Sequence, residues 1–224
     1  MMRVLAYLTA FGLGGGPLAS ETLVEIGSGI GRMTASFTRM FNRVVACDLD
    51  AAFLERCRET VAKFGRPERL QTSAVADGRT IALPDHSADI AFSYITFQHC
   101  HRDDALALSN EAVRVVRAGG HVVLNFRTWT SSDTVLWPAG KIVRALWRVP
   151  KLGPAISKRR SIARLGWQAN RLSPTEVMAV VGSKLCDVQI VHSPKRRSFA
   201  IPGTSDQSFE GVHPSHWWLV AKVV

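Results

Sequence analysis

Cysteine is scarce in this chain of 224 residues, and no two of its four cysteines form a CxxC pair. Small zinc sites and redox centres are usually built on closely spaced cysteines of that kind. The thiols are instead scattered through apolar segments that are typical of buried elements. We therefore expect no metal site, and we expect reduced thiols in a cytoplasmic protein at Cys47, Cys57, Cys100 and Cys186.

Acidic residues are absent from residues 141–171, where nine basic residues occur. This basic segment accounts for most of the formal net charge of +10, because residues 1–140 carry equal numbers of acidic and basic side chains. Long apolar runs are absent there too, since basic residues interrupt every run well below the ~20 residues that a membrane-spanning helix needs. The segment can attract an acidic partner or lie on a membrane surface, but it cannot cross a bilayer.

The length and composition fit a single domain, residues 1–224. Hydrophobic residues make up 46% of the chain, which is enough for one substantial core. Arg3 and the apolar residues 4–13 loosely imitate a signal peptide, but cleavage near Ser20 would leave the first strand at the chain end. We therefore expect residues 1–22 to form an N-terminal covering helix or extension.

Short apolar runs alternate with helical patterns over residues 23–128. Helical patterns, one capped by Asp50 and one over residues 105–116, predict right-handed crossovers that cover both faces of a parallel sheet. Residues 173–224 begin with a capping box at Ser173 and end in two closing strands. The sequence predicts an α/β fold with a doubly wound, Rossmann-like sheet of seven mostly parallel strands and a C-terminal antiparallel strand. The predicted strands are residues 23–26, 44–47, 71–75, 90–92, 121–126, 187–191 and 216–224.

The first predicted strand ends in Glu25 and a turn rich in glycine. Glycine has no Cβ, so the turn can adopt positive φ angles and let a ligand lie against bare main chain, in front of the amides of the next helix. The dinucleotide fingerprint G-x-G-x-x-G is absent, because Arg32 occupies the place of the third glycine. The turn therefore predicts a nucleotide-type cofactor site and disfavours NAD.

This turn resembles the first motif of the class I S-adenosylmethionine-dependent methyltransferases, which has the form E-x-G-x-G-x-G. Residues 47–50, 76–89, 89–93 and 114–120 are similar, in the same order, to later segments of that family. The resemblance covers about residues 23–126 and implies S-adenosylmethionine as the cofactor. It implies a cofactor site at Glu25, Gly27, Ser28, Gly29, Gly31, Asp48, Leu49, Asp77, Gly78, Ser93 and Tyr94.

The resemblance also assigns roles within that site. Asp48 would accept hydrogen bonds from both ribose hydroxyls, Leu49 would pack on the adenine, and Asp77 would accept a hydrogen bond from the adenine amino group. Each residue has a structural alternative, since the glycines could form only a tight turn and the two aspartates could serve as loop or cap residues.

The same resemblance places residues 93–101 along the methyl-transfer cleft. A hydroxyl acceptor needs a base, and histidine is the usual choice near neutral pH, so His99 or His101 is the candidate catalytic base. Packing or helix-start roles are the alternative. The segment lacks the Asn-Pro-Pro-Tyr or Asp-Pro-Pro-Tyr sequence of the amino-group methyltransferases that act on adenine, which disfavours that reaction.

Residues 129–172 are rich in tryptophan and basic residues and predict a helical lid inserted between the core, residues 23–128, and residues 173–224. A helix over residues 141–148 would place Ile142, Val143, Leu146 and Trp147 on one face and Lys141, Arg144 and Arg148 on the other. The charges could remain in water, meet an anionic or lipid-like substrate, or lie on a membrane through residues 141–171. No motif supports nucleic-acid contact.

The predicted function is methyl transfer from S-adenosylmethionine to a small-molecule or lipid-like acceptor, with an oxygen nucleophile favoured over nitrogen or carbon. Two alternatives stay open. One is a non-catalytic, cofactor-binding member that recruits a membrane or nucleic acid, and the other is an RNA methyltransferase that uses the basic segment.

Overall fold

The computed structural model describes residues 21–150, 152–158, 162, 170–196 and 198–224. The covering helix predicted within residues 1–22 therefore lies almost wholly outside the described residues. Part of the basic segment, including Arg159, Arg160 and Arg164, lies outside them as well.

Within the described residues, eight strands form one sheet in the spatial order β3-β2-β1-β4-β5-β8-β6-β7. Strand β8 runs antiparallel to β5 and β6, and the other neighbouring pairs are parallel. The strands are β1 Thr22–Ile26, β2 Arg43–Asp48, β3 Leu70–Ala74, β4 Ala88–Ser93, β5 Val116–Arg127, β6 Leu185–His192, β7 Ser205–Ser208 and β8 His216–Val223.

This topology confirms the predicted Rossmann-like fold with a late antiparallel strand. The strand count of seven was one too low, because the sequence analysis missed β7 at the edge of the sheet. All four residues of Ser205–Ser208 are exposed and polar. A strand without an apolar face leaves no hydrophobic periodicity in the sequence.

The part of the chain that the structure describes contains six α-helices. The predicted caps are confirmed, since the Asp50 carboxylate accepts from the amide of Ala52 and Ser173 and Glu176 form a capping box. The helices are α1 Thr34–Met40, α2 Ala51–Phe64, α3 Arg102–Val115, α4 Asp133–Trp147, α5 Leu152–Lys158 and α6 Pro174–Val181.

Helix α3 ends at Val115, one residue before the predicted end at residue 116. Strand β5 already begins at Val116, and its pairing with β4 shifts register between Ala88 and Ile90. A Cβ on Gly120 would lie 2.6 Å from the carbonyl oxygen of Asp89. Gly120 therefore permits a close approach of two strands rather than ending a helix.

The sheet is covered on both faces. Successive residues of β1 point to opposite faces, so Val24 packs in one cluster with Leu108 of α3, whereas Leu23 packs in another with Phe37 of α1. Aromatic contacts extend each cluster to the C-terminal edge of the sheet. Phe126 stacks on Phe97, with 4.9 Å between ring centroids, and Tyr94 stacks on Trp218 at 5.5 Å. This packing fixes the segment that follows β4.

One acidic side chain is buried between β1 and α1. Thr34 Oγ1 donates a hydrogen bond of 2.6 Å to Glu25 Oε2. Burial raises the pKa of Glu25 to about 8, against the effect of the Thr34 hydrogen bond and with a further increase from the charge of Asp48. Glu25 therefore connects the first strand to the first helix and supports the turn between them from behind.

We expect Glu25→Gln to alter the pH dependence of stability. The folded protein binds the Glu25 proton more tightly than the unfolded chain does, so this stabilisation is full below about pH 4.5 and is lost as the pH rises toward 8. The wild-type free energy of unfolding should fall relative to that of E25Q over this window, by at most about 1.4 kcal/mol per pH unit.

Urea unfolding of both proteins at several pH values across that window measures the difference. Glu55→Gln, on the exposed face of α2, is the matched control and should keep the wild-type pH dependence. The same pH dependence in E25Q as in the wild type would contradict the role of Glu25.

Candidate functional site

A cavity of about 630 Å³ opens at the C-terminal ends of β1, β2 and β4. It lies where the strand order reverses between β1 and β4, which is where open α/β sheets bind their ligands. Its walls come from the turn after β1, the end of β2, the loop after β3, residues 94–101 and the start of α3. The predicted site residues that line it are Gly27, Gly29, Asp48, Leu49, Gly78, Tyr94, His99 and His101.

The glycine turn is held against the end of β2. The amides of Gly27 and Ser28 donate hydrogen bonds of 2.8 and 3.1 Å to the carbonyl oxygen of Cys47. Gly27 has a φ of +78°, and a Cβ there would lie 2.1 Å from Thr96 Oγ1. At Gly29, with a φ of +53°, a Cβ would meet nothing within 4 Å. The main chain at Gly29 therefore faces open space at the cavity.

The Asp48 carboxylate ends β2 at the cavity wall. Its Oδ2 accepts a hydrogen bond of 2.8 Å from the amide of Gly29, and its Oδ1 accepts one of 3.1 Å from the amide of Asp50. Each carboxylate oxygen has two lone pairs, so both can accept a further hydrogen bond. Asp48 is thus fixed in place and can still receive two neighbouring hydroxyl groups.

Five predicted site residues do not line the cavity. Glu25 lies behind the turn, and the buried Ser28 Oγ has no hydrogen-bond partner among the described residues. A Cβ on Gly31 would lie 2.7 Å from Cys57 Sγ of α2, and Ser93 Oγ donates to the carbonyl oxygen of Ile26 at 3.0 Å. These four residues build the turn and join it to its neighbours.

The fifth is Asp77, whose carboxylate is exposed in the loop after β3. It accepts hydrogen bonds of 2.8 Å from the amides of Arg79 and Thr80 and one of 2.7 Å from Thr80 Oγ1. The hydrogen bonds, that of the Thr80 hydroxyl first, lower the pKa of Asp77 to about 2. This loop reaches the cavity through Gly78 and Val75 instead.

Both candidate histidines reach the cavity from the segment after β4. His99 ends a short 3₁₀ helix, Phe97–His99, and its Nε2 lies 3.2 Å from Gln98 Nε2. His101 is the N-cap residue of α3, but its side chain makes no capping hydrogen bond. Asn170 Nδ2 donates hydrogen bonds of 2.7 Å to the carbonyl oxygens of Phe97 and Cys100. Asn170 therefore holds the segment that carries both histidines by its main chain, before and after His99.

Several cavity residues were not identified from the sequence. Ile95 has a φ of +60°, and its amide donates to Asn125 Oδ1 at 3.3 Å. Thr96 donates to the carbonyl oxygen of Ile26 at 3.1 Å and packs under Gly27. Phe53, in the first turn of α2, is exposed and lines the cavity, because that turn opens toward the site. Only the position of Phe53 just after Asp50 could have signalled this.

A second concavity of about 710 Å³ lies between β6 and β8, near His121, Asp187 and Lys222. The ion pair between Lys222 Nζ and Asp187 Oδ2, 2.8 Å long, is exposed at its rim. This second concavity is lined by neither the glycine turn nor the ends of β1 and β4. The cavity beside Gly29 is therefore the candidate cofactor site.

Comparisons with known proteins agree with this geometry. Residues 24–124 match the methyltransferase domain family. The chain is 28% identical over 119 residues to a carboxy-S-adenosyl-L-methionine synthase of Pseudomonas putida, covering 51% of this chain and 48% of that protein. It is 30% identical over 103 residues to a malonyl-[acyl-carrier protein] O-methyltransferase of Yersinia pestis, covering 46% of this chain and 35% of that protein. The chain thus spans half or less of the length of these relatives.

A solved structure carries the likeness over the whole fold. An S-adenosylmethionine-dependent methyltransferase from Aquifex aeolicus matches with a TM-score of 0.59 and 16% identity, over 98% of this chain and 88% of that chain. At this identity the likeness shows the fold alone. Together with the family match over residues 24–124, it confirms the expectation drawn from the glycine turn. Residues 24–124 thus match a methyltransferase domain family, in agreement with the class I S-adenosylmethionine-dependent methyltransferases that the glycine turn resembles.

Proposed function

We propose that this protein transfers a methyl group from S-adenosylmethionine to an oxygen atom of a small-molecule acceptor. The observation that carries the proposal is the convergence of Gly29, Asp48 and residues 94–101 on one cavity. The match of residues 24–124 to the methyltransferase domain family supports methyl transfer, and the oxygen nucleophile is the specific part of the proposal.

The cavity residues fit the cofactor in size and chemistry. A volume of about 630 Å³ lies within the range of small-molecule and cofactor sites. The bare main chain at Gly29 lets a ligand approach closely, and Asp48 can accept hydrogen bonds from the two ribose hydroxyls. Leu49 offers an apolar surface on which the adenine ring can pack. When bound, the cofactor supplies an activated methyl group on a sulfonium. The predicted role of Asp77 at the adenine stays a prediction, since hydrogen bonds within its own loop already engage its carboxylate.

On the acceptor side, we assign the proton transfer to His99 or His101. A hydroxyl must lose its proton as it becomes methylated, and a histidine within hydrogen-bond reach accepts it at neutral pH. Contacts of Asn170 and Thr96 hold this segment in place, and fixed geometry is what an in-line displacement requires. The described residues of the predicted lid, residues 129–172, are not among those that line the cavity, so its closing role stays a proposal.

We further propose that the outer face of α4 lies on an anionic membrane surface, which would present a lipid-like acceptor. Val135 and Ile142 lie seven residues apart on one side of the helix and are 70% and 61% exposed, and Val149, just beyond the end of the helix, is 40% exposed. The sequence analysis placed Ile142 and Val143 together, but Val143 is the buried residue of the two. The exposed Lys141 and Arg148 flank the apolar side.

This pattern supports interfacial contact over a solvated lid, whose outer face would be polar. Among the described residues, no helix combines the length and apolar character that crossing a membrane requires. The unpaired thiols, two of them buried at Cys47 and Cys57, support our placing the protein in the reducing cytoplasm.

We expect Asp48→Ala to weaken the binding of S-adenosylhomocysteine, the demethylated cofactor, by at least about tenfold, because it removes two acceptors at the ribose position. Calorimetric titration measures this. Asp77→Ala is the comparison, and it should bind almost as well as the wild type if that carboxylate serves its own loop. Wild-type affinity in D48A would remove Asp48 from the cofactor site.

We expect His99→Ala to slow turnover by about a hundredfold or more, the usual contribution of a general base, without weakening the binding of S-adenosylhomocysteine. Transfer of a labelled methyl group from S-adenosylmethionine to a panel of hydroxylated acceptors provides the assay. His101→Ala is the matched comparison on the same loop. If both variants turn over at the wild-type rate, neither histidine is the base.

We expect Ile142→Glu to weaken binding to phosphatidylserine-containing vesicles by roughly tenfold, since burying one isoleucine is worth about 1.5–3 kcal/mol. Co-sedimentation with anionic and with neutral vesicles measures it. Val180→Glu, which changes an exposed valine on α6, is the control and should bind like the wild type. Equal binding of I142E and wild type would contradict the proposed membrane face.

A further inference from the structure

A second carboxylate besides Asp48 lines the cavity beside the glycine turn. Asp104, in the first turn of α3, is one of the lining residues, and its side chain is 22% exposed. Its Oδ1 accepts a hydrogen bond of 2.6 Å from Arg79 Nε. Its Oδ2 accepts no hydrogen bond from any residue that the structure describes. One oxygen of Asp104 is therefore held in place, and the other keeps its full capacity to accept hydrogen bonds.

Contacts between the loop after β3 and α3 fix the position of this carboxylate. Two turns beyond Asp104, Glu111 Oε2 accepts a hydrogen bond of 2.9 Å from the amide of Ile81. Arg114 Nη2 donates one of 2.8 Å to the carbonyl oxygen of the same residue. The loop is therefore attached to α3 at two levels, by these bonds and by the ion pair between Arg79 and Asp104.

The surroundings of Asp104 in the cavity are apolar. Leu49 Cδ1 lies 4.0 Å from the position of a Cβ on Gly78, which precedes the arginine that binds Asp104. Leu108 lies one turn after Asp104 on the same side of α3, and it lines the cavity together with Val75. Both of these side chains are at least 96% buried. This end of the cavity therefore combines apolar walls with one carboxylate.

The thiol of Cys100 relates this carboxylate to the one at the ribose position. Cys100 lines the same cavity, and burial first, then the charges of Asp104 and Asp48, raise its pKa to about 11. Charges act on a neighbouring group over a short range, since water and salt screen them beyond it. Asp104 and Asp48 therefore both lie near one side chain of the cavity wall, and a ligand of nucleoside size can contact both.

The acid in the loop after β3 is engaged differently. Asp77, which the family resemblance assigns to the adenine amino group, is not among the residues that line the cavity. Its carboxylate accepts three hydrogen bonds, from the amides of Arg79 and Thr80 and from the Thr80 hydroxyl. Arg79 thus binds Asp77 through its amide and Asp104 through its guanidinium group. Asp77 positions the arginine, and Asp104 presents a carboxylate to the cavity.

We propose that Asp104 accepts a hydrogen bond from the exocyclic amino group of the adenine of S-adenosylmethionine and selects adenine over bases that lack this group. Adenine is a flat, largely apolar ring, and in a nucleoside the amino group is its only hydrogen-bond donor. Apolar walls with one carboxylate acceptor match that chemistry. The inference rests on the proposed function, because it requires the cofactor in this cavity with its ribose at Asp48. It transfers the adenine contact from Asp77 to a residue of α3.

The test compares calorimetric titrations of S-adenosylhomocysteine and S-inosylhomocysteine, in which a carbonyl oxygen replaces the amino group. We expect the wild type to bind the adenine compound about a hundredfold more tightly, since the carbonyl would face a carboxylate with no proton between them. Asp104→Asn supplies an amide that can donate to this carbonyl, so the preference should fall by at least about tenfold. Asp104→Ala should show the same loss if D104N fails to fold. Asp103→Asn removes the neighbouring exposed carboxylate outside the cavity and should keep the wild-type preference.

Arg79→Gln separates recognition from attachment of the loop. It removes the ion pair but keeps the carboxylate at the cavity, so it should weaken both compounds alike and still prefer the adenine compound. A loss of preference in R79Q as large as that in D104N would show that the ion pair is what matters, and would overturn the inference.

Four further results overturn or limit the inference. Equal binding of the two compounds by the wild type overturns it, and so does an unchanged preference in D104N, even if that variant binds both compounds more weakly. Loss of the preference in Asp77→Asn but not in D104N returns the adenine contact to Asp77 and overturns it as well. Each of these results leaves cofactor binding intact, whereas a wild type that does not bind S-adenosylhomocysteine at all overturns the proposed function.

Discussion

The candidate site depends on the hydrogen bonds between the turn after β1 and the end of β2. The amides of Gly27 and Ser28 bind the carbonyl oxygen of Cys47, and the amide of Gly29 binds the carboxylate of Asp48. These contacts hold bare main chain and a carboxylate side by side at one edge of the sheet. Because Thr96 packs directly under Gly27, the same contacts also fix the start of the segment that carries the candidate histidines.

The rest of the fold supports that edge. Tyr94 stacks on Trp218 and Phe97 stacks on Phe126, so the loop after β4 packs against both core clusters. Asn170 holds the same loop by a hydrogen bond to the carbonyl oxygen of Phe97. Asp133 connects the start of α4 to the end of β5 through two arginines. The predicted cofactor residues and the candidate base therefore lie at the ends of adjacent parallel strands, on one edge of the sheet.

Local chemistry made much of this predictable from the sequence. A glycine turn after an apolar strand, an acid at the end of the next strand and a capping box each have a signal within a few residues, and the structure has these features where they were predicted. The unpredicted features depend on long-range packing. The left-handed backbone at Ile95, the exposed Phe53 and the pairing of Asp133 with Arg171, 38 residues apart, leave no local pattern. The edge strand β7 was not predicted because it contains no apolar residue and so has no hydrophobic pattern.

The most direct test of the central claim is a crystal structure of the protein with S-adenosylhomocysteine. The account predicts the ribose hydroxyls within hydrogen-bond distance of the Asp48 carboxylate, and the ligand lying against the main chain of Gly29. A ligand bound elsewhere, or an adenosine group turned away from Asp48, would contradict it.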